Sequence, residues 1–388
     1  MRPTLLGLVA DDLTGAGDAA VGFAEAGWRA VLSLDPSSPL PPAGPVPTVL
    51  ALSTGSRAAG DDEAARRTSR AVEGVVARGA DRLYLKVDST VRGSVAGQLD
   101  GALSAWSTTH PGARAVVCPA FPEHRRTVAD GHVLVDGAPL AASAAATDPV
   151  TPRTDGDLTR VLPGSVLHRG SDLSGPPGSR LVVDARDGAD LDRLARQLDA
   201  VGPELVVVGS GGLAAALGDV WSQPVGRAEV RAVAGKVLVA VSSLHPATAA
   251  QLLQLADGPL GAEVDVLTTT RAPTTPDAAV ADLADRVGTA LADAAYGAVV
   301  VVGGDGAAAV LAGLGADRVE IDRALVPGCP TGIVVGGRAD GLRLVTKSGG
   351  FGGPAALDQI VRRLRTGSVD PRTAPSHAGH RPIPKEAS

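Results

Sequence analysis

The apolar positions of the chain fall into short unbroken runs, separated by stretches in which alanine and other small residues recur at helical spacing. Leu5–Ala10 is the first run. An Asp-Asp-Leu-Thr-Gly turn follows it, then an Ala-rich stretch whose periodicity predicts a helix to about Ala26. The runs at 46–53, 82–87, 114–119, 180–184 and 204–209 read the same way, with a further helix predicted at about 61–78. Runs that are apolar at successive positions mark strands buried on both faces. Such strands alternating with helices predict parallel sheets covered on two sides. A second series begins near Lys236, with strands expected at 236–242, 263–268, 298–303, 318–321, 332–335 and 342–346 and helices between most of them.

The two series divide at residues 221–227, a polar stretch with a proline. The expected fold class is therefore α/β, in two domains at 1–222 and 228–366. Each is a mainly parallel β-sheet flanked by helices, with the active site in the cleft between them. Residues 35–48 form a Pro-rich loop, 141–159 a small polar connection, and 367–388 a tail without periodicity that is expected to be disordered. No short-period repeat is present.

Composition narrows the function classes. With 388 residues, 44% hydrophobic and 20% charged, the chain is globular and long enough for two cores. Aromatics are only 2%, so Val, Leu and Ala must build those cores and base-stacking platforms are not expected. The net charge is −6, so no basic footprint for nucleic acid exists in the totals. No apolar run reaches the length of a membrane span, and Asp11 and Asp12 interrupt the first one too early for a signal peptide. Cys118 and Cys329 form no disulfide or metal pattern, which fits a cytoplasmic protein. His110, His124, His132, His168, His245, His377 and His380 are dispersed, so a zinc site is not expected.

In parallel α/β sheets, ligands bind beyond the carboxyl ends of the strands, where loops and helix N-termini gather. Four such loops carry chemistry. Asp11 and Asp12, followed by Thr14, Gly15 and Gly17, end the first strand; one of them could simply cap the helix, but adjacent acids suit hydroxyls, a metal or a proton. Lys86, Asp88, Ser89 and Arg92 crowd the end of another strand, where the alternatives are an anion site and a structural salt-bridge cluster. Ser56 and Arg57 lie at a neighbouring strand end. Gly303, Gly304, Asp305 and Gly306, and then Lys347, Ser348, Gly349 and Gly350, are Gly-rich turns ahead of helices. With Ser242 and Ser243 they suit a nucleotide's phosphates, although tight strand–helix turns need glycine anyway. No Walker-type loop is present and no Gly-x-Gly-x-x-Gly fingerprint opens the chain, which counts against a P-loop kinase and against a dehydrogenase.

In order along the chain, these segments resemble the four-carbon acid sugar kinase family. The landmarks are Ala10–Gly15, Ser56-Arg57, the segment from Lys86 to Gly93, Pro119-Ala120-Phe121-Pro122 with Arg126 and Gly131, and the segment from Gly209 to Ala214. In the second half they are Val241-Ser242-Ser243 with Thr248 and Gln251, Gly303-Gly304-Asp305, Pro327-Gly328-Cys329-Pro330, and the segment from Lys347 to Gly352. The resemblance runs from about Leu5 to Arg365. It implies an N-terminal domain that binds a sugar acid such as threonate, erythronate or an oxo-tetronate, and a C-terminal domain that binds ATP. The terminal hydroxyl would receive the γ-phosphoryl group, with Mg²⁺ expected from the chemistry and its ligands unassigned.

On that reading Arg57, Lys86 and Arg92 hold the substrate carboxylate and hydroxyls, while Asp11, Asp12, Ser56, Asp88 and Ser89 orient the rest. Asp12 is the first candidate for the proton acceptor and Asp88 the second. Ser242, Ser243, Gly303, Gly304, Asp305, Gly306, Lys347, Ser348, Gly349 and Gly350 hold the nucleotide. The small-molecule partners are then the sugar acid and ATP, and a homo-oligomer is left open. Three positions depart from the family pattern: Gly306 stands for the usual Thr, Arg125 for the usual Gly before Arg126, and Gly17 for the usual Asn. The alternatives are a sugar-acid or nucleotide-binding protein without strong turnover, to which Gly306 lends weight, and a kinase of another small hydroxy acid. Gly303-Gly304-Asp305-Gly306 also resembles the turn of phosphofructokinases and NAD kinases, whose other motifs are missing.

Overall fold

The computed structural model describes residues 3–34, 46–223, 231–269 and 275–367. Most of the Pro-rich loop, part of the expected domain boundary and the expected tail lie outside the described residues. The first half carries strands β1 (Leu5–Ala10), β2 (Arg29–Ser33), β3 (Thr48–Ser53), β4 (Arg82–Lys86), β5 (Arg114–Cys118), β6 (Arg126–Ala129), β7 (His132–Val135), β8 (Ala138–Pro139), β9 (Ser165–His168), β10 (Arg180–Val183) and β11 (Leu205–Gly209). Its helices are α1 (Leu13–Glu25), α2 (Asp61–Val76), α3 (Val95–Ser107), α4 (Leu158–Val161), α5 (Gly188–Val201) and α6 (Gly211–Val220). The second half adds β12 (Lys236–Val241), β13 (Val264–Thr268), β14 (Tyr296–Val302), β15 (Arg318–Val326), β16 (Cys329–Val335) and β17 (Arg343–Lys347). With them come α7 (Pro246–Asp257), α8 (Pro276–Asp293), α9 (Gly304–Gly313) and α10 (Ala356–Thr366).

The strands expected from the apolar runs are all present, and within the first half the large sheet is parallel throughout, in the order β2-β3-β1-β4-β11-β5-β10-β9. The apolar runs have the physical meaning assigned to them: Leu8, Val9, Leu83, Leu85, Val116, Val206 and Val208 are buried between helix layers. Strands β2 and β6–β9 match no expected strand, and two larger features also differ from expectation. The sheets of the halves are not separate, because β15 pairs antiparallel with β2, matching Arg318 with Ser33 and Ile321 with Ala30. One sheet of 14 strands results, continuing as β15-β16-β17-β14-β12-β13.

The second difference is that β15 and β16 form an antiparallel hairpin longer than the two short strands expected. Pro327 and Gly328 turn it, with Gly328 at φ 73°, and no room remains for the long crossover that parallel pairing needs. The glycine is also required by its neighbour, since a Cβ there would strike the Phe351 ring. Strand β2 escaped the sequence reading because Arg29–Ser33 is short and follows directly on the helical pattern of α1.

Candidate active site

β3, β1 and β4 are adjacent, and their register aligns Ala10 with Ser53 and with Lys86. The loops after these three strand ends therefore converge. Arg57 reaches across to grip both acids of the first loop: its Nε and Nη2 donate to Asp11 at 2.6 and 2.8 Å, and its Nη1 and Nη2 donate to Asp12 at 3.0 Å each. Ser56 is buried, donates its N–H to the Asp11 carbonyl at 2.9 Å, and shares a 2.6 Å hydroxyl contact with Thr54. Asp12 does cap α1, accepting from the Gly15 N–H at 2.8 Å, and it also accepts from Thr14 Oγ1 at 2.8 Å. Capping and site membership are thus held by one side chain.

Asp88 is gripped in turn by Arg92, whose Nη2 and Nε donate at 2.7 and 3.1 Å. Thr90 donates to the same carboxylate through its N–H at 3.0 Å and through its hydroxyl. Ser89 is buried beside them. The Lys86 ammonium, though buried, donates to no described residue. Burial alone would raise the Asp88 carboxyl, but Arg92 and Arg57 hold it well below the usual range. Asp12 is likewise lowered, burial being outweighed by Arg57, Lys86 and its own hydrogen bonds. Asp11, which is fully buried, is raised by that burial, with Arg57 opposing.

In the second half β12, β14 and β17 are adjacent, and their carboxyl ends carry the three small-residue turns. α9 has no side-chain cap, so its first N–H groups stay available, and Gly303 (φ 115°) takes a conformation that disfavours other residues. Ser242 Oγ fills the space beside Gly303 and Gly306; a Cβ at Gly306 would lie 2.7 Å from the Ser242 Cβ. Ser243 and Thr248 share a 3.2 Å hydroxyl hydrogen bond, Thr248 donates to the Gly349 carbonyl at 3.0 Å, and Gln251 donates to the carbonyls of Phe351, Gly352 and Gly353. These contacts shape the turn from Lys347 through Ser348 to Gly350, where the Lys347 ammonium donates to the Ser348 carbonyl at 2.9 Å. Burial lowers Lys347 to about 8.

The two halves meet at the chemistry. A Cβ on Gly304 would lie 2.9 Å from Asp12 Oδ2, so the α9 N-terminus abuts the acid pair directly. Nearby, His124 stacks on Phe351 at 4.5 Å between centroids, joining the halves a second time. Residues that carried no assignment also take part. Asp148 accepts from Arg92 Nη1 at 2.5 Å, and Arg153 donates to the carbonyls of Val91 and Gly93 at 3.0 and 2.7 Å. Both come from the polar connection at 141–159, and no local signal in the sequence points to them. Asp18, about two turns along from the Asp-Asp pair, is a further buried acid that carried no assignment.

Two α/β halves whose acid cluster and phosphate-compatible turns meet between them make up the class this chain falls in. The family described as "Sugar-binding N-terminal domain" matches residues 6–217, and that described as "Nucleotide-binding C-terminal domain" matches residues 266–357. A D-threonate kinase from Bordetella bronchiseptica is 39% identical, across 93% of this chain and 97% of its own length. A crystal structure from the same organism, described as a domain-swapped dimer with bound citrate, is 36% identical over 93% of this chain and 98% of that one, with a TM-score of 0.51. A Salmonella typhimurium structure described as a putative tRNA synthase shares the fold, at 22% identity and TM-score 0.74, covering 93% of this chain and 99% of that one. The chain belongs to the four-carbon acid sugar kinase family and is a phosphotransferase. Among the described residues no helix is long and apolar enough to cross a membrane.

Proposed function

We propose that the protein transfers the γ-phosphoryl group of ATP to the terminal hydroxyl of a four-carbon sugar acid, with threonate the first candidate. The observation that carries this reading is the approach of Gly304 to Asp12, which sets an uncapped helix N-terminus against the carboxylates of the sugar-binding half. Phosphoryl transfer passes through a loose transition state, so holding the two substrates in line and stabilising charge dominates the barrier.

ATP fits the second half. The N–H groups of residues 304–306 and the Gly349 turn provide donors, and Gly303, Gly304 and Gly306 let Ser242 and Asp12 close against that turn, where a Cβ would strike them. The described residues include no cluster of three or more His, Cys, Asp or Glu fit for a metal. Mg²⁺ would be carried mainly by the phosphates and water, with Asp305 of the first α9 turn available to its shell. Bound there, the ion would neutralise charge on the β- and γ-phosphates.

Within the sugar-binding half, Arg57 and Arg92 have their donors largely engaged by Asp11, Asp12, Asp88 and Asp148. They order the acids, which in turn accept substrate hydroxyls together with Ser56 and Ser89. Lys86 is the cation left to meet the substrate carboxylate. Closure of the cleft would exclude water that otherwise hydrolyses ATP. ADP release from purified protein with Mg·ATP, across threonate, erythronate and oxo-tetronate in both configurations, tests the reading. Strong turnover with one acid is expected; silence over the whole panel with ATP binding intact would turn the reading to a binding protein or another hydroxy acid.

A further inference from the structure

Asp18 lies on α1 in the segment that begins Asp11-Asp12, yet nothing above gives it a role. It is 9% exposed and has no hydrogen-bond or ion-pair partner among the described residues. By contrast, both oxygens of Asp12 and of Asp88 are engaged by donors. A largely buried carboxylate without a protein donor is costly, and folding alone gives no reason to keep one.

Its surroundings come from both halves. Gly211, first residue of α6, makes room for it: a Cβ there would lie 2.5 Å from Asp18 Oδ2. Lys86 faces it from β4, Asp12 from the first loop, Glu123 from the turn after β5, Tyr84 from β4, and Cys329 from β16. The preceding residue, Gly17, packs on Pro330 Cγ, where a Cβ would come to 3.2 Å. Asp18 therefore stands at the junction of sugar-binding and nucleotide-binding halves, beside the free ammonium of Lys86.

We propose that Asp18 accepts the proton of the attacking substrate hydroxyl. The proposal rests on the kinase reading. The hydroxyl O–H bond breaks with its proton passing to an Asp18 oxygen, the hydroxyl oxygen bonds to the γ-phosphorus, and the bond from that phosphorus to the β,γ-bridging oxygen breaks, its electron pair leaving with ADP. Asp12 and Asp88, held strongly ionised, orient hydroxyls and oppose nothing in this transfer. Burial raises Asp18 to about 6, with Asp12 and Glu123 adding and Lys86 opposing, which suits a base working near neutrality.

The experiment is a pH profile of kcat and kcat/KM for the full chain, with the acid that proves active. The wild type should lose activity as pH falls through about 6. Asp18→Asn should lower kcat by about 10²–10⁴-fold, leave the KM for ATP nearly unchanged, and lack that acid limb. Asp12→Asn should be slower but keep the limb. Gly211→Ala, which presses a methyl group on Asp18, should lower kcat while ATP binding by calorimetry stays intact. Near-normal kcat in Asp18→Asn, or an acid limb persisting in it, overturns the proposal. If Asp18→Asn does not fold, a wild type without the limb or a fully active Gly211→Ala overturns it instead. A wild type inactive across the panel removes the four-carbon sugar-acid reading and this proposal with it, whereas an active wild type with an unaffected Asp18→Asn removes this proposal alone.

Discussion

At Gly306 a missing side chain is filled by a neighbour. Ser242 places its hydroxyl in the space that a side chain at 306 would occupy, on the N-terminal turn of α9. The space that a side chain at position 306 would fill is thus taken by the residue that follows β12, which gives the glycine a packing reason. Gly306→Thr should raise the KM for ATP about tenfold or more through overpacking, and Ser242→Gly in the same chain should recover part of it. Steady-state kinetics of the two variants would check this; a neutral Gly306→Thr would refute the packing argument. Gly17 has a similar reason, since a longer side chain would press on Pro330 and Thr346 across the junction. Lys347 gives a pH prediction. Its ammonium, lowered to about 8, is the form that meets phosphate, so ATP affinity should fall as pH rises through 8 and Lys347→Met should flatten the dependence. Because its folded value lies below the ordinary 10.5, the buried charge costs stability below pH 8, and that cost disappears as pH rises toward 10.5.

Elements dock here by close approach of backbones, as a chain with so few aromatics requires. α2 and α3 meet at Gly97 and Gly101: a Cβ at Gly97 would lie 2.7 Å from Asp61 Cα, and one at Gly101 would lie 2.9 Å from the Ala65 carbonyl carbon. α1 and α6 do the same at Gly22 and Ala215, where the approach would be 2.8 Å. Gly101→Ala should therefore destabilise by about 1–3 kcal/mol despite its higher helix propensity, read by denaturant unfolding. A stabilised variant would show that the helices can part at little cost. Most strand and helix identities were legible at this scale, because β-branched apolar runs of five or six residues, bounded by turn residues and alternating with helical periods, read as inner strands. Strands β2 and β6–β9 and the hairpin of β15 and β16 were not. Their pairing depends on what lies beside them, and a short half-buried run carries no record of its neighbour.

Across the whole molecule, the β2–β15 pairing turns two sheets into one and couples the halves mechanically. The chain's tryptophans, Trp28, Trp106 and Trp221, all lie in the first half, and the nucleotide turns all lie in the second. Trp28 and Trp221 pack together at 6.0 Å between centroids, so their emission reports the sugar-binding half. ATP should therefore raise the thermal midpoint seen by tryptophan fluorescence as much as that seen by circular dichroism. A fluorescence midpoint indifferent to ATP would mean that the halves unfold independently.

The sequence by itself determined the α/β class, the order of strands and helices, and the loops at which acids and glycines gather. Those features are local, set by side-chain period, by turn chemistry and by which residues tolerate a strand end. It took the packed fold to show that Arg57 holds Asp11 and Asp12 together, that Asp148 joins Asp88 on Arg92, and that Ser242 occupies the space beside Gly306. It alone brought Gly304 against Asp12 and left Asp18 buried without a donor between the halves. Each of these pairs residues far apart in the chain, and their meeting depends on sheet register and helix packing, which the local pattern of hydrophobicity does not encode.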